Sequence, residues 1–102
     1  MLKEFFLGFV KVHVLYHASK EPVCGADILK ELGRHGYQLS PGTIYPTLHR
    51  LASDGYLAQQ RRVVGGKARK YYTLTERGMA ALNEAKIKII ELVEEVIEEK
   101  KD

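Results

Sequence analysis

The 102-residue chain has one cysteine, Cys24, and no tryptophan. A single thiol excludes an internal disulfide framework and fits a reducing cytoplasm. No basic residue adjoins Cys24 to favour its thiolate, so a small packed side chain is expected there rather than a redox switch. Without tryptophan the chain lacks the largest platform on which a planar ligand could stack. It also lacks any uncharged apolar run of 18 residues, so no membrane span is expected. The N-terminal stretch MLKEFFLGFVKVHVLYHAS has the look of a signal peptide, but Glu4, Lys11 and two histidines interrupt it, and the residues after it continue a domain. No linker, repeat or low-complexity tract is present. There is no Ser/His/Asp or Cys/His constellation and no carboxylate pair in a pocket-like context. Gly65-Gly66-Lys67 lacks the rest of a phosphate loop. An enzyme is therefore the least favoured class, and no cofactor is expected.

One further scarcity is local. Residues 57–75 hold Arg61, Arg62, Lys67, Arg69 and Lys70 with no acid, a local charge of +5, whereas residues 76–102 carry five basic and eight acidic residues, a local −3. The whole chain is only +3. A concentrated basic patch, more than total charge, is what gathers phosphate contacts. The plainer alternative is a hairpin kept soluble by its charges.

Acids are also scarce on the outer side of the stretch SPGTIYPTLHRLASDGYL, residues 40–57. Ser40 suits an N-cap and Pro41 the first helical position. Ile44, Leu48 and Leu51 recur at i, i+4 and i+7, which places them on one apolar stripe. The opposite face carries Gly42, Pro46, His49 and Ser53, flanked by Thr43, Arg50 and Tyr45. Most solvated helix faces are laced with Glu and Lys; this one is short-chained and aromatic. Pro46 inside the helix removes one backbone bond and presses towards the carbonyl of Gly42, at a cost of roughly 3 kcal/mol in an ordinary helix. It marks either a functional face or a harmless surface kink. Tyr45 lies at the edge of the stripe, where it could be outward or half in the core.

Asp54-Gly55 ends this helix. Tyr56 to Val64 then reads as a strand, Gly65-Gly66 as a tight turn, and Arg69 to Leu74 as the returning strand. A helix followed by a hairpin with a basic tip is the layout of a winged helix-turn-helix. GTIYPTLHRL, then DGYL, a basic loop and RKYYTLTERG together resemble the signature of the PadR family of transcriptional regulators. The resemblance covers roughly residues 10–82 and weakens at the ends. It implies a winged-helix dimer that binds operator DNA and is released by a small-molecule or stress signal.

Before and after this unit the chain is mostly helical. Residues 2–18 read as a helix that is apolar nearly all round, with stripes of Phe5, Phe9, Val12 and Tyr16, of Phe6 and Val10, and of Leu7 and Val14. A small domain can cover only one such side, so a second copy of the chain is expected to cover the rest. His13 and His17 stand at i, i+4, but a zinc site needs further ligands, and packing or surface roles are the ordinary ones, so no metal is expected. Pro22 bars helix at 19–23. Val23-Cys24 suits a very short strand. A second helix starts at Gly25-Ala26-Asp27, uses Ile28, Leu29 and Leu32 inwardly, and ends near His35-Gly36. Tyr37-Gln38-Leu39 is the turn into the reading helix. Thr75 caps a final helix expected to run from Glu76 to Lys100, about 37 Å at 1.5 Å per residue. Its apolar residues stay on one side to Ile97, with an 82–89–93–96 spacing close to a heptad seam.

The expected architecture is thus mostly α with a small β-hairpin: a winged helix-turn-helix over 1–75 and a dimerisation helix over 76–102. Double-stranded operator DNA is the expected partner. The residues assigned to it are Ser40, Thr43, Tyr45, Pro46, His49 and Arg50 of the helix, and Arg61, Lys67, Arg69 and Lys70 of the wing. The homodimer is assigned to Phe5, Phe6 and Phe9 on the first helix and to Leu82, Ile89, Leu92, Val93, Val96 and Ile97 on the last. With one terminal helix and no sensing domain in this stretch, an effector pocket is expected between subunits. Phe5, Phe6 and Phe9 either line that pocket or are plain interface core. The competing classes are a protein-interaction scaffold and an RNA-binding module using Tyr71 and Tyr72.

Overall fold

The computed structural model describes residues 2–100. Helices α1 (Leu2–Lys20), α2 (Gly25–Arg34) and α3 (Pro41–Ser53) are followed by strands β1 (Leu57–Val64) and β2 (Lys67–Leu74), then α4 (Glu76–Leu92), which continues into a π-helical turn at Val93–Ile97. The strands form one antiparallel hairpin in unbroken register from Leu57↔Leu74 to Val64↔Lys67. Gly65 and Gly66 make its two-residue turn with φ of 60° and 79°. That left-handed pair is the one whose twist matches a β-hairpin, and glycine enters it without a Cβ clash. The turn closes directly on Lys67, so β2 begins two residues earlier than the pattern from Arg69 suggests. Val23 adds a single bridge to Tyr72, exchanging both backbone bonds at 3.0 and 2.7 Å.

The core lies where α1, α2, α3 and the base of the hairpin meet. Ile44, Leu48 and Leu51 of α3 are buried as their spacing predicts, against Ile28 and Leu32 of α2. Each such side chain contributes about 1.5–3 kcal/mol by leaving water. In α1 the buried side is Val10, Val14 and Ala18, joined by Leu15. The first three are spaced i, i+4, i+8, one helical stripe. The N-terminal phenylalanines remain outside. Thr75 caps α4 as expected, its hydroxyl oxygen accepting from the Gly78 N–H at 3.0 Å and its hydroxyl donating to the Gly55 carbonyl at 2.6 Å. The cap thereby ties the start of α4 to the end of α3.

Two expectations need correction. Leu82, grouped from sequence with the dimerisation residues, is 1% exposed and belongs to the protomer's own core. At that depth its own chain already covers it, leaving no surface for a second subunit. The terminal helix also stops short of Lys100: regular α-geometry ends at Leu92, and the π turn gives way after Ile97, with Glu99 at φ 55°. Glu94, Glu95, Glu98 and Glu99 crowd like charges at the helix end whose dipole disfavours anions. The wider turn, with the Glu98 N–H reaching the Val93 carbonyl at 2.9 Å, also rotates Val96 and Ile97 off a strict heptad line. No helix among the described residues is long and apolar enough to cross a membrane.

Candidate nucleic-acid interface

Helix α3 turns its apolar stripe inward and leaves Pro41, Gly42, Tyr45, Pro46, His49 and Arg50 exposed, with Thr43 half-buried. The helix runs through Pro46 without interruption. Thr47 Oγ1 donates to the Thr43 carbonyl at 2.8 Å, adding a side-chain bond next to the one that proline cannot make. Ser40 occupies the N-cap position, and its carbonyl accepts from the N–H groups of Thr43 and Ile44 at 3.0 and 3.1 Å. Its side chain makes no cap bond to the backbone; the hydroxyl lies 3.4 Å from Thr43 Oγ1. At the other end Arg50 reaches Asp54 at 4.0 Å, with both side chains largely in solvent. A pair so exposed is worth little and releases Arg50 readily.

The wing carries its charge openly. Arg61, Arg62, Lys67, Arg69 and Lys70 are all exposed. Among the described residues none of the five makes an ion pair. Arg62 is otherwise engaged: its guanidinium donates to Gln60 at 3.0 Å and lies over the Tyr71 ring at 5.2 Å. Tyr72 points inward and is buried, and burial, with Tyr45 nearby, raises its phenol above the usual tyrosine range.

The fold brings α3 and the wing together at one cleft. Tyr45 of α3, Arg69 and Lys70 of β2, and the start of α2 at Cys24, Gly25 and Ala26 line a concavity of about 340 Å³. Tyr45 is half-exposed because its ring rests on Gly25, where a Cβ would run into it. The sequence does not single out Gly25 and Ala26 as site residues. Their only local signal is a helix start, and their place beside Tyr45 and the wing is a tertiary effect.

A second surface is apolar. Phe5, Phe6 and Phe9 on α1, and Ile89, Leu92, Val93, Val96 and Ile97 at the far end of α4, are all exposed, Ile97 by as much as 73%. Between α1, α2 and α4 of a single protomer opens a cavity of about 600 Å³, lined by Phe9, Val12 and Tyr16, by Ile89, and by the polar groups of His13 and Lys86 among others. Phe9 lines it; Phe5 and Phe6 do not. Among the described residues no group of three or more His, Cys, Asp or Glu side chains is placed to hold a metal ion.

Three helices, a tight helix-turn-helix and a hairpin beside its second helix define a winged helix-turn-helix protein. The sequence profile described as the transcriptional regulator PadR-like family matches residues 14–84. The chain belongs to that family. It is 49% identical over 96 residues to the transcriptional regulator Rv3488 of Mycobacterium tuberculosis, covering 94% of this chain and 90% of that one. Among solved structures, a PadR family transcriptional regulator from Eggerthella lenta is 34% identical, with a TM-score of 0.82 over 96% of this chain and 87% of that one. A PadR-like transcription factor from Bacteroides fragilis superposes with the same TM-score at 30% identity, covering 96% of each chain. The chain is accordingly a transcriptional regulator, a non-enzymatic class.

Proposed function

We propose that the chain acts as a homodimeric repressor that binds pseudo-palindromic operator DNA through α3 and the wing. Helix α3 enters the major groove with Thr43, His49 and Arg50 towards base edges, while Ser40, Pro46 and Tyr45 set its approach to the backbone. Lys67, Arg69, Lys70 and Arg61 neutralise phosphates beside it and supply salt-sensitive affinity. The observation that carries this reading is the cleft shared by Tyr45, Arg69 and Lys70, which makes α3 and the basic hairpin one continuous surface. The exposed apolar ends of α1 and α4 support a two-fold dimer built from Phe5, Phe6 and Phe9 and from Ile89 to Ile97. In this division residues 1–75 form the reading domain, and α4 is anchored by Leu82 before it extends to the partner. A small-molecule effector that releases the operator has room in the cavity beside Phe9. The protein works in the cytoplasm, where its DNA is.

Stacking on single-stranded RNA is less well supported. Tyr72 is buried and Tyr71 is covered by Arg62, so neither ring is free on the wing. A scaffold without DNA affinity has no use for a hairpin whose five cations make no ion pair among the described residues. Selection of bound duplexes from random DNA tests the proposal: recovery of a two-fold symmetric site, with half-sites about one helical turn apart, is expected. Recovery of no preferred sequence contradicts it.

A further inference from the structure

His13, His17 and His35 are three of the chain's four histidines, and the fold gathers them. His13 and His17, one turn apart on α1, hold their rings nearly parallel with centroids 6.3 Å apart. His35, at the C-cap of α2, stacks on His13 at 5.2 Å. Tyr37, in the turn between α2 and α3, stands edge-on to His13 at 5.7 Å and to Phe6 at 6.3 Å.

The charged and titratable groups around the stack come from each element packed on it. From α1 come His17 and, against His17, Tyr16, while Lys20, Glu21 after the helix and Asp27 from the start of α2 line a hollow with His17. From α2 and its end come His35 and Glu31, from the turn Tyr37, and from α4 across the cavity Lys86. Glu31 already pairs with Arg34 at 3.2 Å while lying 3.7 Å from His35. Protonation of the stack therefore sets like charges about 5–6 Å apart; at His13 and His35 the carboxylate nearby is Glu31, already shared with Arg34, with Lys86 across the cavity, whereas Glu21, Asp27 and Lys20 lie on the His17 side.

We propose that the His13–His17–His35 stack is a proton-sensitive latch. With its imidazoles uncharged it holds the end of α2 and the Tyr37 turn on α1; in acid it loosens, and α3, which comes directly after that turn, loses its seating. The electrostatics agree. Burial, and then the neighbouring His35 and His17, hold His13 below the ordinary imidazole value, against a smaller opposing pull from Glu31. The folded chain takes up this proton less readily than the unfolded one. Stability from the latch is therefore full above the unfolded value of about 6.5, and declines as pH falls through it towards the lower folded value.

Imidazole resonances of the intact protein, followed by NMR from about pH 8 to 5, give the first test. His13 is expected to titrate below the ordinary imidazole value, and to move towards it in His35→Gln. A His13 that titrates at or above that value overturns the latch. Urea unfolding at about pH 7.5 and 5.5 gives the second. Wild type is expected to lose more of its midpoint on acidification than His13→Gln; equal losses overturn the latch. The effect on α3 rests on the duplex-binding reading above and is measured in wild type and in His13→Gln, which both keep His49, so that its own outward-facing contribution on α3 is common to the two. Acid is expected to weaken duplex binding roughly threefold or more in wild type, and much less in His13→Gln. Equal weakening in both overturns the link to α3. A protein that binds no duplex at either pH removes the operator reading instead, and titration and unfolding still decide the latch.

Discussion

The wing and the far end of α4 both project from the same small core, and they are finished in opposite ways. The wing exposes five cations with no acid and no ion pair among the described residues. The end of α4 exposes Ile89, Leu92, Val93, Val96 and Ile97 beside a row of glutamates. Both are expensive surfaces for an isolated protomer: one repels itself, and the other leaves large apolar side chains in water. Under the proposed function each becomes favourable against a different partner, polyanion for the first and a second copy for the second. Exposure alone does not distinguish function from idleness; exposure with a consistent chemistry does.

The contrast can be tested from either side. The largest effect is expected at the apolar end, where Val93→Asp with Val96→Asp should turn a dimer into a protomer, read by sedimentation at micromolar concentration. A protomeric wild type would erase the contrast. Next comes the core on which both surfaces stand: Ile44→Ala should cost about 2–5 kcal/mol in denaturant unfolding, because the site is fully buried. Gly25→Ala drives a Cβ into the Tyr45 ring. A loss of about 1–3 kcal/mol, with Tyr45 displaced from the wing, is expected in unfolding and duplex titration. The smallest effect falls on the junction between the surfaces: Thr75→Ala removes the α4 cap and the tie to Gly55, for about 1 kcal/mol in thermal unfolding.

Much of the winged helix was legible in the residues. Ile44, Leu48 and Leu51 declare an inward stripe because their spacing matches the helical period. Gly65-Gly66 declares a hairpin because few other residues accept that turn. Thr75 declares a helix start. The rest depended on three-dimensional allocation. A helix as uniformly apolar as α1 has no preferred face, so periodicity could not say that Val10 and Val14 go inward while Phe5 and Phe9 stay out. Leu82 matches the heptad-like seam and the core equally well, and only packing assigned it to the core. The π turn at Val93–Ile97 is likewise nothing that apolar spacing registers. His35 joins His13 and His17 across two helices, twenty-two and eighteen residues away in sequence, where no local pattern connects them. The cleft under Tyr45 is equally invisible, since Gly25 and Arg69 meet only in the folded chain.

The most direct measurement is duplex affinity as a function of salt for wild type, for Arg69→Ala with Lys70→Ala, and for Glu98→Ala. Wild type should weaken steeply as salt rises, the double variant should lose about two units of that slope, and Glu98→Ala should keep it. A flat salt dependence, or a double variant with the wild-type slope, would contradict a wing that works by neutralising phosphates.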